Sequence, residues 1–236
     1  MAERGAPSGS WGKIQSPGFS YQLTDDDVLW AARMIVGEGG DERDAPAVLW
    51  TMAQLFTPQG KQSKWGNPNK WGSSFRELIQ RYSQPINPRW TVPVGSRVTG
   101  EMMRGETSLC SRAPDRCTER YLARRRRFQS LHWNEIPQGL RDVATAWATG
   151  TLPNPVPRAV EFAAPSQSQR FLNGNPGSVV ILRAGNWFIA NRTSKTWPAN
   201  LVRLTGGEIG TAMGVGIIIG AIVLAGAVGV YFGLRE

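Results

Sequence analysis

Histidine and cysteine are almost missing from this 236-residue chain, which has one of the first and two of the second. A single imidazole and no CxxC pair exclude the usual zinc-binding patterns, and no metal or other cofactor is expected. Two cysteines are also too few for a multiply cross-linked scaffold. Cys110 and Cys117 bracket a short turn-rich run, Ser-Arg-Ala-Pro-Asp-Arg, and are either a disulfide or two thiols. Acidic residues are scarce relative to basic ones, 18 against 27, giving a net charge of +9. Such a balance attracts polyanions, whether nucleic acid, anionic lipid or an anionic wall polymer, without choosing among them. The first twenty residues lack the apolar run of a secretory signal and are rich in Gly, Ser and Pro, so residues 1–20 are expected to form a flexible arm. Long apolar stretches are absent with one exception. Residues 209–234 carry no charge and exceed the ~20 residues that span a bilayer, predicting a C-terminal transmembrane helix anchored in membrane lipid. The small-residue spacings Gly216/Gly220 and Gly229/Gly233 within it suit self-association or packing against other membrane proteins.

What the chain does have is a strongly patterned stretch at residues 28–56. Val28, Leu29, Ala31, Ala32, Ile35 and Val36 follow a helical spacing behind the acidic run Asp25-Asp26-Asp27, which offers N-cap oxygens. Gly37, Gly39 and Gly40 stop this helix. The corner Asp44-Ala-Pro46 starts a second, with Val48, Leu49, Met52, Leu55 and Phe56 as its apolar stripe. Glu38 falls between the two, at the negative end of the first helix and near a wall of hydrophobic side chains. Desolvation and the helix dipole both favour its protonated form, the form in which a carboxyl can protonate a glycosidic oxygen. A solvated residue in a Gly-rich turn is the plain alternative.

Further along, residues 57–74 read as a long polar loop bearing Trp65 and Trp71, whose side chains either stack on sugar faces or staple the loop. Phe75, Leu78, Ile79 and Tyr82 predict a short helix capped by Ser74 with Glu77. The prolines of Ser83-Gln-Pro-Ile-Asn-Pro88 force an extended or turning segment that displays Gln84 and Asn87. Arg124-Arg-Arg-Arg127 is either a solvated helix face or a docking surface for phosphate- or carboxylate-bearing polymer, with packaged DNA as another partner. His132, between Leu131 and Trp133, is expected to be packed rather than catalytic. A helix over residues 138–150 is followed by three short strands, 159–163, 178–182 and 187–190.

The run Ala32-Arg-Met-Ile-Val-Gly-Glu38-Gly-Gly-Asp-Glu resembles the catalytic region of the spore-cortex-lytic (SleB-type) cell-wall hydrolases. Three further stretches follow in the family's order: Phe75 through Gln84, Ala144-Thr-Ala-Trp-Ala-Thr-Gly-Thr-Leu-Pro-Asn-Pro155, and Ala184-Gly-Asn-Trp-Phe188. The chain departs from the family where the second helix ends in Ala53-Gln-Leu-Phe56 instead of Asn-Arg, and where Trp187 stands at a common His position. The resemblance implies an α+β fold: a mainly helical, lysozyme-like domain over residues 21–200 with one small β-sheet, here combined with the transmembrane helix. It implies a single catalytic Glu, Glu38, acting on peptidoglycan as a lytic transglycosylase or muramidase. The accompanying substrate-binding set is Tyr82, Gln84, Asn87, Trp65, Trp71 and Asn186. Hydrolysis by water would need a second carboxylate, for which Asp41, Glu42 and Asp44 are nearest in sequence. A membrane tail without a signal peptide suggests delivery by a phage or virus particle that breaches a host wall. The rival reading is a non-catalytic, membrane-anchored virion structural or wall-binding protein.

Overall fold

The computed structural model describes residues 6–38, 43–63, 72–87, 98–100, 102–103 and 105–206. Its centre is helix α1 (Asp25–Glu38), in which every residue from Asp27 to Ile35 is buried. The helix begins with a capping box between Thr24 and Asp27, in which Thr24 and not the acidic run supplies the N-cap oxygen. The Asp27 backbone N–H donates to Thr24 Oγ1 at 3.2 Å, and the Thr24 N–H returns a bond to Asp27 Oδ2 at 2.9 Å. Asp27 is 1 % exposed and also accepts from Tyr21 Oη and from the Arg76 N–H, so it ties three segments at one point.

Helix α2 (Ala45–Phe56) carries Pro46 in its first turn, and α3 (Pro58–Ser63) follows almost at once, inside the stretch expected to be loop. Helix α4 (Phe75–Tyr82) starts as its sequence predicts, with the Glu77 N–H donating to Ser74 Oγ at 3.1 Å. Helices α5 (Thr107–Arg112) and α6 (Pro114–Ser130) form a hairpin closed by a Cys110–Cys117 disulfide. Val98, Met103 and Tyr121 pack around that bond as a small core separate from the main one. Helix α7 (Gln138–Ala148) lies on α1, and its Trp147 stacks on Phe75, which in turn meets Phe56 edge-on.

Among the described residues, two three-stranded antiparallel sheets stand where one was expected. Strands β1 (Lys13–Ser16) and β2 (Phe19–Gln22) make a hairpin, and β6 (Arg203–Thr205) joins β1 with Ile14 opposite Leu204. Residues 13–20 are therefore sheet and not a flexible arm. Ile14 is fully buried, and Trp11 is anchored by its indole N–H on Asp25 Oδ1 at 2.7 Å. In the second sheet β3 (Glu161–Ala163) and β4 (Val179–Arg183) flank β5 (Trp187–Ala190), with α8 (Pro165–Gly174) between β3 and β4 in sequence. Helix α8 escapes the hydrophobic-period reading because its one buried residue is Ser168.

The expected fold class needs correction at the membrane helix. The fold is α+β, with eight helices and two small sheets among the described residues, none of these helices long and apolar enough to cross a membrane. The longest, α6, spans 17 residues and carries six arginines; the apolar α2 has 12 residues where ~20 are needed. Residues 209–234 lie outside the described residues.

Candidate active site

Glu38 is the last residue of α1, and what it meets is decided by the glycine before it. A Cβ on Gly37 would lie 2.9 Å from Pro85 Cβ and 3.2 Å from Ile86 Cγ2, so only glycine lets the 83–87 turn pack this closely. That approach brings buried Ser83, the C-cap of α4, within reach, and its hydroxyl donates to Glu38 Oε1 at 2.7 Å. Glu38 itself is half-buried and lines a cleft of about 310 Å³. Apolar walls come from Pro85, Phe128 and Phe162, and polar groups from Tyr82, Gln84 and Tyr121.

The cleft brings together residues from six separate parts of the chain, around positions 38, 84, 102, 125, 163 and 186. Tyr82 ends α4, and its hydroxyl donates to Glu161 Oε2 on β3 at 3.0 Å. Burial pushes the Tyr82 phenol well above its ordinary range, and the carboxylates of Glu161 and Glu38 push the same way, so it stays a neutral donor. Glu161 is thus a second carboxylate behind Tyr82, outside the candidates read from the sequence and not itself among the cleft-lining residues. Its signal was there: a charged residue inside the apolar run Ala159-Val-Glu-Phe-Ala163.

Helix α6 supplies the opposite wall with Tyr121, Arg124, Arg125 and Phe128. The arginine run is divided by the helix turn, since Arg125 is buried, Arg124 is half-buried and Arg126 and Arg127 are exposed. Arg125 donates through Nε to the Gln84 carbonyl at 3.1 Å and through Nη2 to the Asn87 carbonyl, and Gln129 Nε2 binds the Ile86 carbonyl at 3.1 Å. These bonds hold the turn beneath Glu38. Burial raises the Tyr121 phenol from its ordinary value, opposed by Arg125 and Arg124 and assisted by Glu38.

Among the other sequence-derived candidates, Gln84 lines the cleft. Asn186 does too, but its backbone and side-chain nitrogens donate to Asp44 Oδ2 at 2.7 and 3.2 Å. Asp44 is 4 % exposed and also accepts from the Gly185 N–H, so it neither caps α2 through its side chain nor is placed to activate water. Asn87 braces its own turn, donating to the Arg81 carbonyl at 3.1 Å, and is not among the cleft-lining residues. His132 is exposed at the start of a 3₁₀ turn, where its N–H donates to Glu135 Oε2, and is not packed as expected. Trp65, Trp71, Asp41 and Glu42 lie outside the described residues.

Comparison with known proteins finds no match, whether among family models, curated proteins or solved structures.

Proposed function

We propose that the chain is a peptidoglycan-degrading enzyme, a lytic transglycosylase or muramidase of the kind a phage or virus particle uses to breach a host wall, with Glu38 as its general acid. One observation carries this reading: a carboxylate at a helix end, oriented by a buried serine, opens into a cleft with aromatic and apolar walls. The resemblance around Glu38 supports the same chemistry.

In this scheme the Glu38 carboxyl proton passes to the glycosidic oxygen as the C1–O bond breaks. For transglycosylation, the sugar's own C6 hydroxyl oxygen bonds to C1 and its proton returns to Glu38, leaving a 1,6-anhydro end. For hydrolysis, water supplies the oxygen and a second carboxylate takes its proton. Asp44 is committed to the 185–186 turn and Glu161 accepts from Tyr82 outside the cleft lining, so transglycosylation, which needs no second carboxylate, is the favoured route.

Clearing of purified peptidoglycan in a gel by the full chain and by Glu38→Gln tests the proposal. Clearing by the first alone supports it; equal clearing by both, or by neither, overturns it, the last outcome favouring a non-catalytic wall-binding protein. Mass analysis of released fragments then separates anhydro from reducing ends.

A further inference from the structure

One small unit serves both the disulfide and the cleft. Val98, Met103, Cys110, Cys117 and Tyr121 form a core apart from the main one, with Met102 packed against it. Tyr121 and Met102 also line the cleft with Glu38. Tyr121 lies one helical turn beyond Cys117 on α6, so the bond from Cys117 to α5 fixes the part of α6 that carries the cleft wall. The next turn presents Arg125, whose bonds to the Gln84 and Asn87 carbonyls hold the turn beneath Glu38. The other end of this linkage is slight. Helix α5 is six residues long, too short to persist untethered, and Thr107, Ser108, Ser111 and Arg112 are exposed on it. Cys110 is 7 % exposed and Cys117 fully buried, so a brief local opening of α5 admits a small thiol to the bond.

We infer that the Cys110–Cys117 disulfide is a redox latch on the cleft. Oxidised, it holds the α6 wall in place for cleavage; reduced, it lets that wall and the 84–87 turn loosen. The protein is thereby idle in a reducing cytosol and competent in an oxidising exterior. In the switching reaction the thiolate of a small thiol such as glutathione attacks one sulfur, forming a mixed disulfide and expelling the other cysteine. A second thiolate then attacks the reductant's sulfur in that mixed disulfide. Two electrons and two protons end on Cys110 and Cys117, and the reductant leaves as its own disulfide; oxidised glutathione reverses both steps. The control of cleavage rests on the glycan-cleavage reading, whereas the loosening of the wall does not.

The full chain, equilibrated in oxidised or in reduced glutathione, tests the latch through two readouts: the rate of fragment release from purified peptidoglycan, and amide exchange followed by mass spectrometry. Reduction is expected to slow release about tenfold or more and to speed exchange at Tyr121 and at residues 84–87, while exchange in residues 28–35 of α1 stays unchanged. Reoxidation is expected to restore both. The double substitution Cys110→Ser and Cys117→Ser is expected to match the reduced chain in either buffer, and the reduced wild-type chain keeps the test decisive if that variant does not fold. Equal, measurable release in both buffers overturns the latch. So does protection lost from α1 together with the wall, since the bond is then a staple for the whole fold. If the oxidised chain releases nothing, the cleavage reading falls and exchange alone decides: faster exchange at residues 84–87 on reduction upholds the wall's dependence on the bond, and unchanged exchange overturns it.

Discussion

A carboxyl group is not a catalyst by virtue of its type, and Glu38 differs from the other acids here through what is packed beside it. Asp27 is more deeply buried but saturated with donors, and Asp44 is consumed by a turn. Glu38 takes its Ser83 bond at the rim of a cleft, which is why Glu38→Gln is expected to reduce turnover by at least about 100-fold, measured as the rate of fragment release, with an unchanged melting temperature. Tyr82 offers a prediction with a definite sign. Its phenol is held protonated in the folded chain above its ordinary value of 10.0, so the unfolded chain binds fewer protons once the pH passes that value. Its contribution to stability is therefore complete below about pH 10 and is lost as pH rises toward the folded-state value. Melting temperatures recorded from pH 8 to 11 are expected to fall at the alkaline end, and less steeply for Tyr82→Phe; parallel curves for the two proteins would count against this. At this scale the position of Glu38 was legible from two apolar stripes and a Gly-rich break. Ser83 was not, because its importance comes from a partner 45 residues away, and Glu161 showed only as a charge in an apolar run, its Tyr82 partner 79 residues off being encoded in no local pattern.

Elements hold the site in place through a few polar knots. Gln54, near the end of α2 where the resembling family has a different pair, donates to the carbonyls of Val156 and Ala159 and accepts from the Arg158 N–H. It fixes the loop that runs into β3 and so sets where Glu161 stands. Replacing it with leucine leaves these buried groups unpaired, for an expected loss of about 2–4 kcal/mol in denaturant unfolding. A drop in activity is expected to follow. The α5–α6 hairpin is the other element that matters, since it brings Tyr121, Arg124 and Phe128 to the cleft while having only a small core of its own. Closing its short loop with Cys110–Cys117 is worth roughly 2–3 kcal/mol on chain-entropy grounds. Mild reduction is expected to accelerate amide exchange across residues 105–125 before it touches α1, as mass spectrometry of exchanged peptides would record. Helices with apolar stripes, α1, α2, α4 and α7, and the strands of the second sheet could be read from the sequence. The β1–β2 hairpin could not, because a Gly-, Ser- and Pro-rich composition suggests disorder until its partner β6, nearly two hundred residues later, is in place.

For the whole molecule the governing property is excess positive charge. A net +9 on a 236-residue chain draws it toward anionic surfaces over a distance limited by salt screening, about 8 Å at physiological ionic strength. Activity on intact cell-wall sacculi is therefore expected to fall several-fold between 50 and 500 mM NaCl, while cleavage of short soluble fragments changes little. An identical salt response for both substrates would place the effect inside the cleft instead. Composition alone made this much legible, but not which surface carries the charge. Only the helical turn of α6 buries Arg125 against the 84–87 turn, half-buries Arg124 at the cleft and leaves Arg126 and Arg127 to solvent.

The pairing of Lys13 with Thr205 has a practical corollary. Neighbouring antiparallel strands run about 5 Å apart, so the chain enters this sheet at Lys13 and leaves it at Thr205 side by side, behind a lead-in that buries Trp11. A segment whose entry and exit strands pair in one sheet can be spliced into an exposed turn of an unrelated carrier, provided residues 6–12 with the buried Trp11 travel with it. Such a transfer spares the cleft, which is built from residues between positions 37 and 186.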